Sequence, residues 1–209
     1  MTDHSALKAD TTSVKPVLRG VHHTARPTWK LQETVHFYRE TLGLPLVHAI
    51  SARGWGPADH PDFLHFFFDS GKGSTIAFFY YIGDSRPDWL EVRGRYDYDA
   101  THTAWQVESA EELTAWKQRL ESQGIHVMPE MRHEVIESIY FRDPNGYLLE
   151  VTRALRPFLE IDAKDAARTL EAAMSIEARA LAGGNTFSSI EPVWQEKARS
   201  VLSAWEEAA

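Results

Sequence analysis

Three side chains of this sequence, His23, His102 and Glu150, have the chemistry to bind a divalent metal. Glu150 interrupts the apolar segment 147–151, which follows the turn-forming run Asp-Pro-Asn-Gly at 143–146. A carboxylate buried there is costly unless it meets a cation or a hydrogen-bond network. Two imidazoles and one carboxylate on one face of a metal favour Fe(II) or a similar cation with open coordination positions. The three residues therefore predict a catalytic metal centre.

Ordinary partners would also satisfy these side chains. A histidine on an apolar strand is often a hydrogen-bonded core residue, and a buried glutamate often pairs with arginine. The arginines that qualify as partners are Arg26, Arg132, Arg142 and Arg153. The metal interpretation is favoured because the two histidines occupy equivalent places in an internal repeat.

That repeat supplies the elements that must position the three residues. His23-Thr24-Ala25 in the first copy corresponds to His102-Thr103-Ala104 in the second, and Gly43-Leu44 corresponds to Gly124-Ile125. In each copy a strand leads to an amphipathic helix and then to further strands, with a turn (DSGKG or DPNG) before the last one. An internal repeat of this length implies two βαβββ units packed about a pseudo-twofold axis, each unable to bury its sheet alone.

The helices of the repeat are predicted from apolar residues three to four positions apart. Gly43 and Gly124 are predicted to end them, and Ser109 with Glu112 is predicted to cap the second. The apolar faces are Leu31, Val35, Tyr38 and Leu42 in the first helix, and Leu113, Trp116 and Leu120 in the second.

The predicted organisation has five parts and an α+β fold. A flexible arm at 1–16 precedes the first module at 17–82, a connector at 83–99 and the second module at 100–153. A C-terminal extension at 154–209 is predicted to add two helices, separated by Gly183-Gly184-Asn185.

If the two sheets curve around a shared cleft, His23, His102 and Glu150 converge from three strands. Glu150 lies four residues after Gly146, whereas the residue four after Gly73 is Ala77. Only one copy therefore carries the carboxylate, which leaves one side of the metal open, as a catalytic site requires.

Composition excludes several classes of function. The formal net charge of −8 argues against a nucleic-acid partner. The absence of cysteine leaves His, Asp and Glu as the metal ligands. No basic-then-apolar leader precedes the repeat, and no apolar run approaches the ~20 residues of a membrane span. We therefore predict a cytoplasmic protein without a membrane partner.

The segments GVHHTA, ETVHFYRETLGL, THTAWQV and YFRDPNGYLLEV resemble the vicinal oxygen chelate superfamily over about residues 17–153. That superfamily includes glyoxalases, fosfomycin-resistance proteins, epimerases and extradiol ring-cleaving dioxygenases. The resemblance implies paired βαβββ modules and a divalent metal. Carried over residue by residue, its ligands are His23, His102 and Glu150. Fe(II) is the favoured metal, with Mn, Zn and Ni as alternatives.

HEVIESIYFRDPNGYLLE, residues 133–150, is similar to the signature of the extradiol dioxygenases. This likeness implies that Tyr140 and His133 line the substrate cavity, and that the partners are a small aromatic substrate and O2. One departure is Ser74, which stands where that family has an acid–base histidine. Serine does not titrate near neutral pH, so another group must replace it, or the chemistry differs; His65, Tyr140 and His133 are the candidates.

Two alternatives to a dioxygenase stay open at this point. One is a lyase or isomerase of the glyoxalase or epimerase kind, which would use the same metal without O2. The other is a binding protein of the bleomycin-resistance kind, which would hold an aromatic ligand without turnover. A homodimer is predicted for all three, because relatives often pair and the two extra helices are available for contact.

Overall fold

The computed structural model describes residues 20–54, 57–90 and 96–206, so the predicted arm at 1–16 lies outside the described residues. The described strands are β1 (His23–Pro27), β2 (Leu46–Ala52), β3 (Phe63–Gly71), β4 (Ser74–Tyr81), β5 (Thr103–Val107), β6 (Met131–Arg132), β7 (Ile136–Arg142) and β8 (Leu148–Ala154). The α-helices are α1 (Leu31–His36), α2 (Tyr96–Asp99), α3 (Ala110–Ser122), α4 (Glu160–Ala182) and α5 (Glu191–Glu206). None of these helices combines the length and apolarity that a membrane crossing requires.

The strands form two four-stranded sheets with the same internal order. The first sheet runs β1-β4-β3-β2, and the second runs β5-β8-β7-β6. In the first sheet β1 is parallel to β4, while β3 is antiparallel to both β4 and β2. The predicted α+β fold with a repeated unit and two added C-terminal helices is confirmed.

The two faces of the first sheet differ in chemistry, because successive strand residues point to opposite sides. One face packs into the core, where Phe68 and Phe78 lie against the fully buried Tyr38. We call the other the histidine face. It is defined by residues that the strand pairing places side by side, namely His23, His48, His65, Phe67, Ala77 and Phe79.

The helix of the first copy ends as the sequence predicts. After α1 the chain makes a π-helical turn over Phe37–Thr41, and the Leu44 N–H then donates to the Tyr38 carbonyl at 2.9 Å. Gly43 has φ +73°, a conformation that glycine adopts without steric cost. The π-helical turn itself is not visible in the spacing of the apolar residues.

The second copy contributes the strand that carries Glu150. Leu148, Leu149, Glu150 and Val151 on β8 are all buried, so both faces of this strand are covered.

At the start of α3, the Ser109 hydroxyl accepts a hydrogen bond from the Glu112 N–H at 3.2 Å, and the predicted cap is confirmed.

Two compact units divide the described chain. One contains the residues up to Trp105 together with Thr114–Met128 and Tyr140–Val151. The other contains Gln106–Leu113, Pro129–Ile139 and the residues from Thr152 onward. In this second unit α4 and α5 are joined by ion pairs, Lys197 with Asp165 at 2.7 Å and Arg179 with Glu196 at 3.3 Å.

Candidate metal centre

Glu150 and His102 meet inside the first unit. The Glu150 carboxylate oxygen Oε2 lies 2.9 Å from Nε2 of His102. Only 4% of the Glu150 side chain is exposed, against 32% of the His102 side chain. The contact joins a residue before β5 to the centre of β8, which are neighbouring strands. Two of the three predicted ligands therefore share one location, with the histidine on the accessible side.

The tautomer of His102 is set by the backbone. Its Nδ1 lies 3.0 Å from the carbonyl oxygen of Asp99, at the end of α2. A carbonyl only accepts, so Nδ1 carries the hydrogen, and in a neutral ring Nε2 presents its lone pair to the Glu150 carboxylate. Two acceptors at 2.9 Å repel each other unless a proton or a cation lies between them.

This donor set fits a divalent metal. A neutral imidazole nitrogen and a carboxylate oxygen are metal ligands, and a backbone carbonyl on the other ring nitrogen is the usual device that orients a metal-binding histidine. The fit does not depend on the likeness to a family, because it follows from the hydrogen bond to Asp99 and from the burial of Glu150.

Arg142 holds the segment that carries the Asp99 carbonyl. Its guanidinium donates to both carboxylate oxygens of Asp99, at 2.9 and 2.8 Å, and to the Gly146 carbonyl at 3.0 Å. Arg142 thus ties α2 to the turn before β8, and so supports both His102 and Glu150. Among the other arginines considered for Glu150, Arg153 pairs with Glu137.

His23 occupies a different place. It is exposed at the start of β1, with Nδ1 2.9 Å from Nδ1 of His22 and with its ring edge-on to Phe67 at 5.8 Å between centroids. In the part of the chain that the structure describes, no group of three or more His, Asp or Glu residues is placed to hold a metal. A single chain therefore brings His102 to Glu150 and leaves His23 apart from them; the three-ligand set stays a prediction.

Tyr140 and His133, the predicted substrate-cavity residues, lie in different units. Tyr140 is half-buried on β7, and its ring is edge-on to His102 with centroids 6.2 Å apart. His133 is exposed between β6 and β7, where its backbone N–H donates to the Ile136 carbonyl at 2.9 Å. Tyr140 is thus next to His102, and the roles of Tyr140 and His133 stay predictions.

The turn before β8 contains a buried polar network that sequence analysis missed. Asp143 accepts the N–H groups of Asn145 and Tyr147 at 2.8 and 2.9 Å, and the Tyr38 hydroxyl at 3.2 Å. The Asn145 side chain reaches Thr28 at 2.9 Å and Thr34 at 3.0 Å. The Asp-x-Asn pattern signals the local part of this network, but no sequence pattern signals the contacts to the first copy.

Burial controls the ionisation of this network. Desolvation raises the pKa of Asp143, and the hydrogen bonds from Tyr147, Asn145 and Tyr38 oppose the rise. Desolvation also raises the pKa of Tyr38 well above its ordinary value, with the neighbouring Asp143 carboxyl adding to the effect. The Tyr38 hydroxyl therefore stays protonated as a donor to Asp143, in the turn before β8.

Comparison with known proteins identifies the class to which this fold and site belong. Residues 20–151 match the Glyoxalase/Bleomycin resistance protein/Dioxygenase superfamily. The matched segment includes His23, His102, Tyr140 and Glu150. The chain belongs to this superfamily.

Individual relatives match this chain over a shorter segment or at lower sequence identity. The metallothiol transferase FosB of Shouchella clausii (strain KSM-K16) is 40% identical over 67 residues, which are 31% of this chain and 42% of that protein. The chain thus matches less than half the length of this relative. The crystal structure of SMU.1112c aligns with a TM-score of 0.51 and 22% identity, covering 65% of this chain and 99% of that one. A glyoxylase/bleomycin resistance protein/dioxygenase domain from Frankia sp. EAN1pec aligns with a TM-score of 0.48 and 25% identity, covering 66% and 99%.

Proposed function

We propose that this protein is a metal-dependent dioxygenase that acts on an aromatic substrate with vicinal oxygen atoms. The observation that carries the proposal is the buried Glu150 carboxylate facing Nε2 of His102 at 2.9 Å, with the histidine tautomer fixed by the Asp99 carbonyl. The ligands are His102, Glu150 and His23, and Fe(II) is the favoured cation because this donor set leaves coordination positions open.

The third ligand comes from a second copy of the chain. His23 and His102 occupy equivalent positions of the repeat, yet the described residues of one chain do not gather three ligands. His23 is exposed on the first strand of the first sheet. A symmetric homodimer would let the His23 of each copy complete the His102–Glu150 pair of the other, giving two equivalent sites.

Aromatic residues beside the proposed ligands favour a flat substrate. Tyr140 lies beside His102, while Phe67 and Phe79 on the histidine face of the first sheet, which also carries His23, offer aromatic surface. A divalent cation at the site would supply the positive charge that favours the ionised form of a chelating hydroxyl. Tyr140 would then orient the substrate and stabilise charge that develops on its oxygen.

Oxygen uptake tests the proposal directly. The full chain is loaded with Fe(II) without oxygen, its iron content is measured, and a panel of catechols is added before oxygen is admitted. We expect one or more catechols to drive oxygen consumption in proportion to bound iron. Iron-loaded protein that consumes no oxygen with any catechol would contradict the dioxygenase assignment.

A second candidate is a reaction at the same metal that does not use O2. The likeness to the metallothiol transferase FosB favours it, together with Ser74 in place of an acid–base histidine. Ser74 is hydrogen-bonded to Ser70, with the hydroxyl oxygens 3.1 Å apart. Joint consumption of a low-molecular-weight thiol and an added electrophilic acceptor under argon, at a rate that oxygen does not change, would favour this candidate over the first.

A further inference from the structure

The long C-terminal helix α4 buries very little of its own surface. Of its 23 residues, Ala172 is the one that is buried. Ten of the fifteen large apolar side chains that are exposed in the described part of the chain lie between Phe158 and Leu202, in and around α4 and α5. A helix in a folded protein is stabilised mainly by burying an apolar face against another element. The exposed apolar residues of α4 therefore call for a partner.

The helix α5 covers only one side of α4. Asp165, Ala172 and Arg179 follow each other at intervals of seven residues, so they lie on the same side of α4. Asp165 pairs with Lys197 of α5 at 2.7 Å, and Arg179 pairs with Glu196 of α5 at 3.3 Å. Ala172, midway between them in the helix, is buried. The contact with α5 thus accounts for this side and leaves the opposite side free.

The opposite side of α4 carries an apolar series with the spacing of a coiled coil. We call Ala163, Ala167, Leu170 and Met174 the α4 seam. The intervals of four, three and four residues are those of the a and d positions of a coiled coil. All four residues are exposed, Leu170 to 61% and Met174 to 59%. At the helical rotation of about 100° per residue, the seam lies opposite the residues that face α5, so a further helix can pack on it while α5 stays in place.

We propose that the α4 seam binds the α4 seam of a second copy of this chain, with the two helices antiparallel. Pairing about the middle of the seam sets Ala163 against Met174 of the second copy and Ala167 against Leu170, so each large side chain meets an alanine. A parallel pair would place Leu170 against Leu170 and leave loosely packed layers of alanine. The inference goes beyond the proposed function, because α4 contributes no residue to the metal centre.

The charges beside the seam favour the same pairing. Lys164 and Glu171 lie next to the seam at equivalent positions, seven residues apart, and the antiparallel arrangement brings Lys164 of each copy towards Glu171 of the other. In the single chain Lys164 pairs with Glu160 at 2.7 Å, and both side chains are exposed, so this pair exchanges at little cost. Five acidic and three basic residues give α4 a negative balance, which disfavours the alternative of an anionic membrane surface.

The exposed apolar surface is large enough for a dimer. A large apolar side chain removes roughly 60–120 Å² from water when it is fully buried. The ten side chains between Phe158 and Leu202 are 40–78% exposed, so together they present on the order of 500 Å² of apolar surface. One side of a standard interface covers about 800 Å², of which somewhat more than half is apolar. The surface that α4, α5 and their neighbours leave uncovered therefore matches one side of such an interface.

Sedimentation equilibrium of the full chain tests the inference. We expect the wild type to form dimers, and Leu170→Glu to raise their dissociation constant by about 100-fold or more, because it places a carboxylate in the seam of both copies. The matched control is Ile161→Glu, since Ile161 is 69% exposed on the same helix and lies off the seam; its dissociation constant should equal that of the wild type. A Leu170→Glu variant as dimeric as the control would overturn the inference, as would a monomeric wild type that floats with anionic phospholipid vesicles.

Charge reversal tests the antiparallel pairing. Lys164→Glu places two pairs of like charges across the seam, so we expect the dimer to weaken by about fivefold. Adding Glu171→Lys to this variant restores opposite charges and should return the dissociation constant to about the wild-type value. A double variant no tighter than Lys164→Glu would overturn the antiparallel arrangement.

Methionine oxidation of the unmodified chain covers the case in which Leu170→Glu does not fold. In the single chain Met174 is 59% exposed and Met131 is 50% exposed, so the two are similarly open to hydrogen peroxide. In the dimer the seam covers Met174, and mass spectrometry should find it oxidised more slowly than Met131. A chain that sediments as a dimer and oxidises Met174 at least as fast as Met131 would overturn the inference.

This inference and the proposed function fail separately. A monomeric Leu170→Glu variant that binds metal like the wild type would leave the seam in place and remove the metal site shared between copies. A Leu170→Glu variant that keeps both its metal and its dimer would remove the seam and leave the shared site in place.

Discussion

At the scale of single residues, the contact between Glu150 and His102 places a carboxylate oxygen and an imidazole nitrogen at hydrogen-bond distance, with little solvent on the glutamate side. The Nδ1–H of His102 donates to the Asp99 carbonyl. In the neutral ring, no hydrogen therefore lies between Nε2 of His102 and the Glu150 carboxylate.

Glu150→Gln isolates the role of the carboxylate. Glutamine keeps the size of the side chain and removes its charge. We expect metal affinity to fall by about 100-fold or more, because losing a direct ligand should weaken metal binding at least as much as losing a residue that orients a ligand. Equilibrium dialysis with metal analysis measures the change. The matched control is Glu137→Gln on β7, whose carboxylate pairs with Arg153; it should bind metal like the wild type. Equal metal binding by the two variants would remove Glu150 from the ligand set.

The sequence carries local information about this site better than long-range information. Three features can be predicted from the sequence: the charge of Glu150 in an apolar strand, the turn before it, and the repeat that makes His23 equivalent to His102. They can be predicted because strand alternation and turn chemistry act between neighbouring residues. The separation of His23 from His102 and Glu150 cannot be predicted from the sequence, because it depends on which sheets share a cleft.

At the scale of elements, the same contrast explains which parts of the fold were predicted. The helix ends at Gly43 and Gly124 follow from single residues, and Leu113 and Leu120 are buried as their spacing requires. The contacts of Asn145 with Thr28 and Thr34 join distant parts of the chain through small polar side chains that have no periodic signature. Long-range polar contacts of this kind become visible only in three dimensions.

The start of α4 offers a prediction about the C-terminal extension. The Asp162 carboxylate accepts the Leu159 N–H at 2.8 Å and two hydrogen bonds from Arg156, at 2.5 and 2.8 Å. These bonds, that from Arg156 first, lower the pKa of Asp162 to about 2. The folded-state pKa lies below the ordinary value of about 3.9, so the stabilisation is present above that value and is lost as pH falls towards about 2.

Asp162→Asn should therefore lower the urea midpoint of unfolding at pH 7, and the difference from the wild type should shrink as the pH falls below about 4. Glu160→Gln is the control, because Glu160 lies in the same first turn and pairs with exposed Lys164; its effect should be smaller. A difference between wild type and Asp162→Asn that grows towards acidic pH would contradict this account of the helix start.

At the scale of the whole molecule, the distribution of ligands in one chain decides how many copies make a site. His102 and Glu150 are together, and His23 is exposed on another sheet edge. Each chain of the proposed homodimer therefore contributes two ligands to one site and one ligand to the other. In a mixed dimer, a defect in His23 of one chain and a defect in Glu150 of the other then fall in the same site and leave the second site intact.

Mixing two inactive variants tests this arrangement. His23→Ala and Glu150→Gln should each bind little metal alone. When the two are co-expressed, a mixed dimer has one site with both defects and one intact site, so random pairing should restore about one quarter of the wild-type metal content. A chain carrying both substitutions is the control: in a dimer with any partner, the wild type included, it leaves a defect in each site, so such a dimer should bind little metal. If all three ligands belonged to one chain, every chain in the mixture would be defective and no metal would return, because pairing between chains cannot repair a site that one chain builds alone.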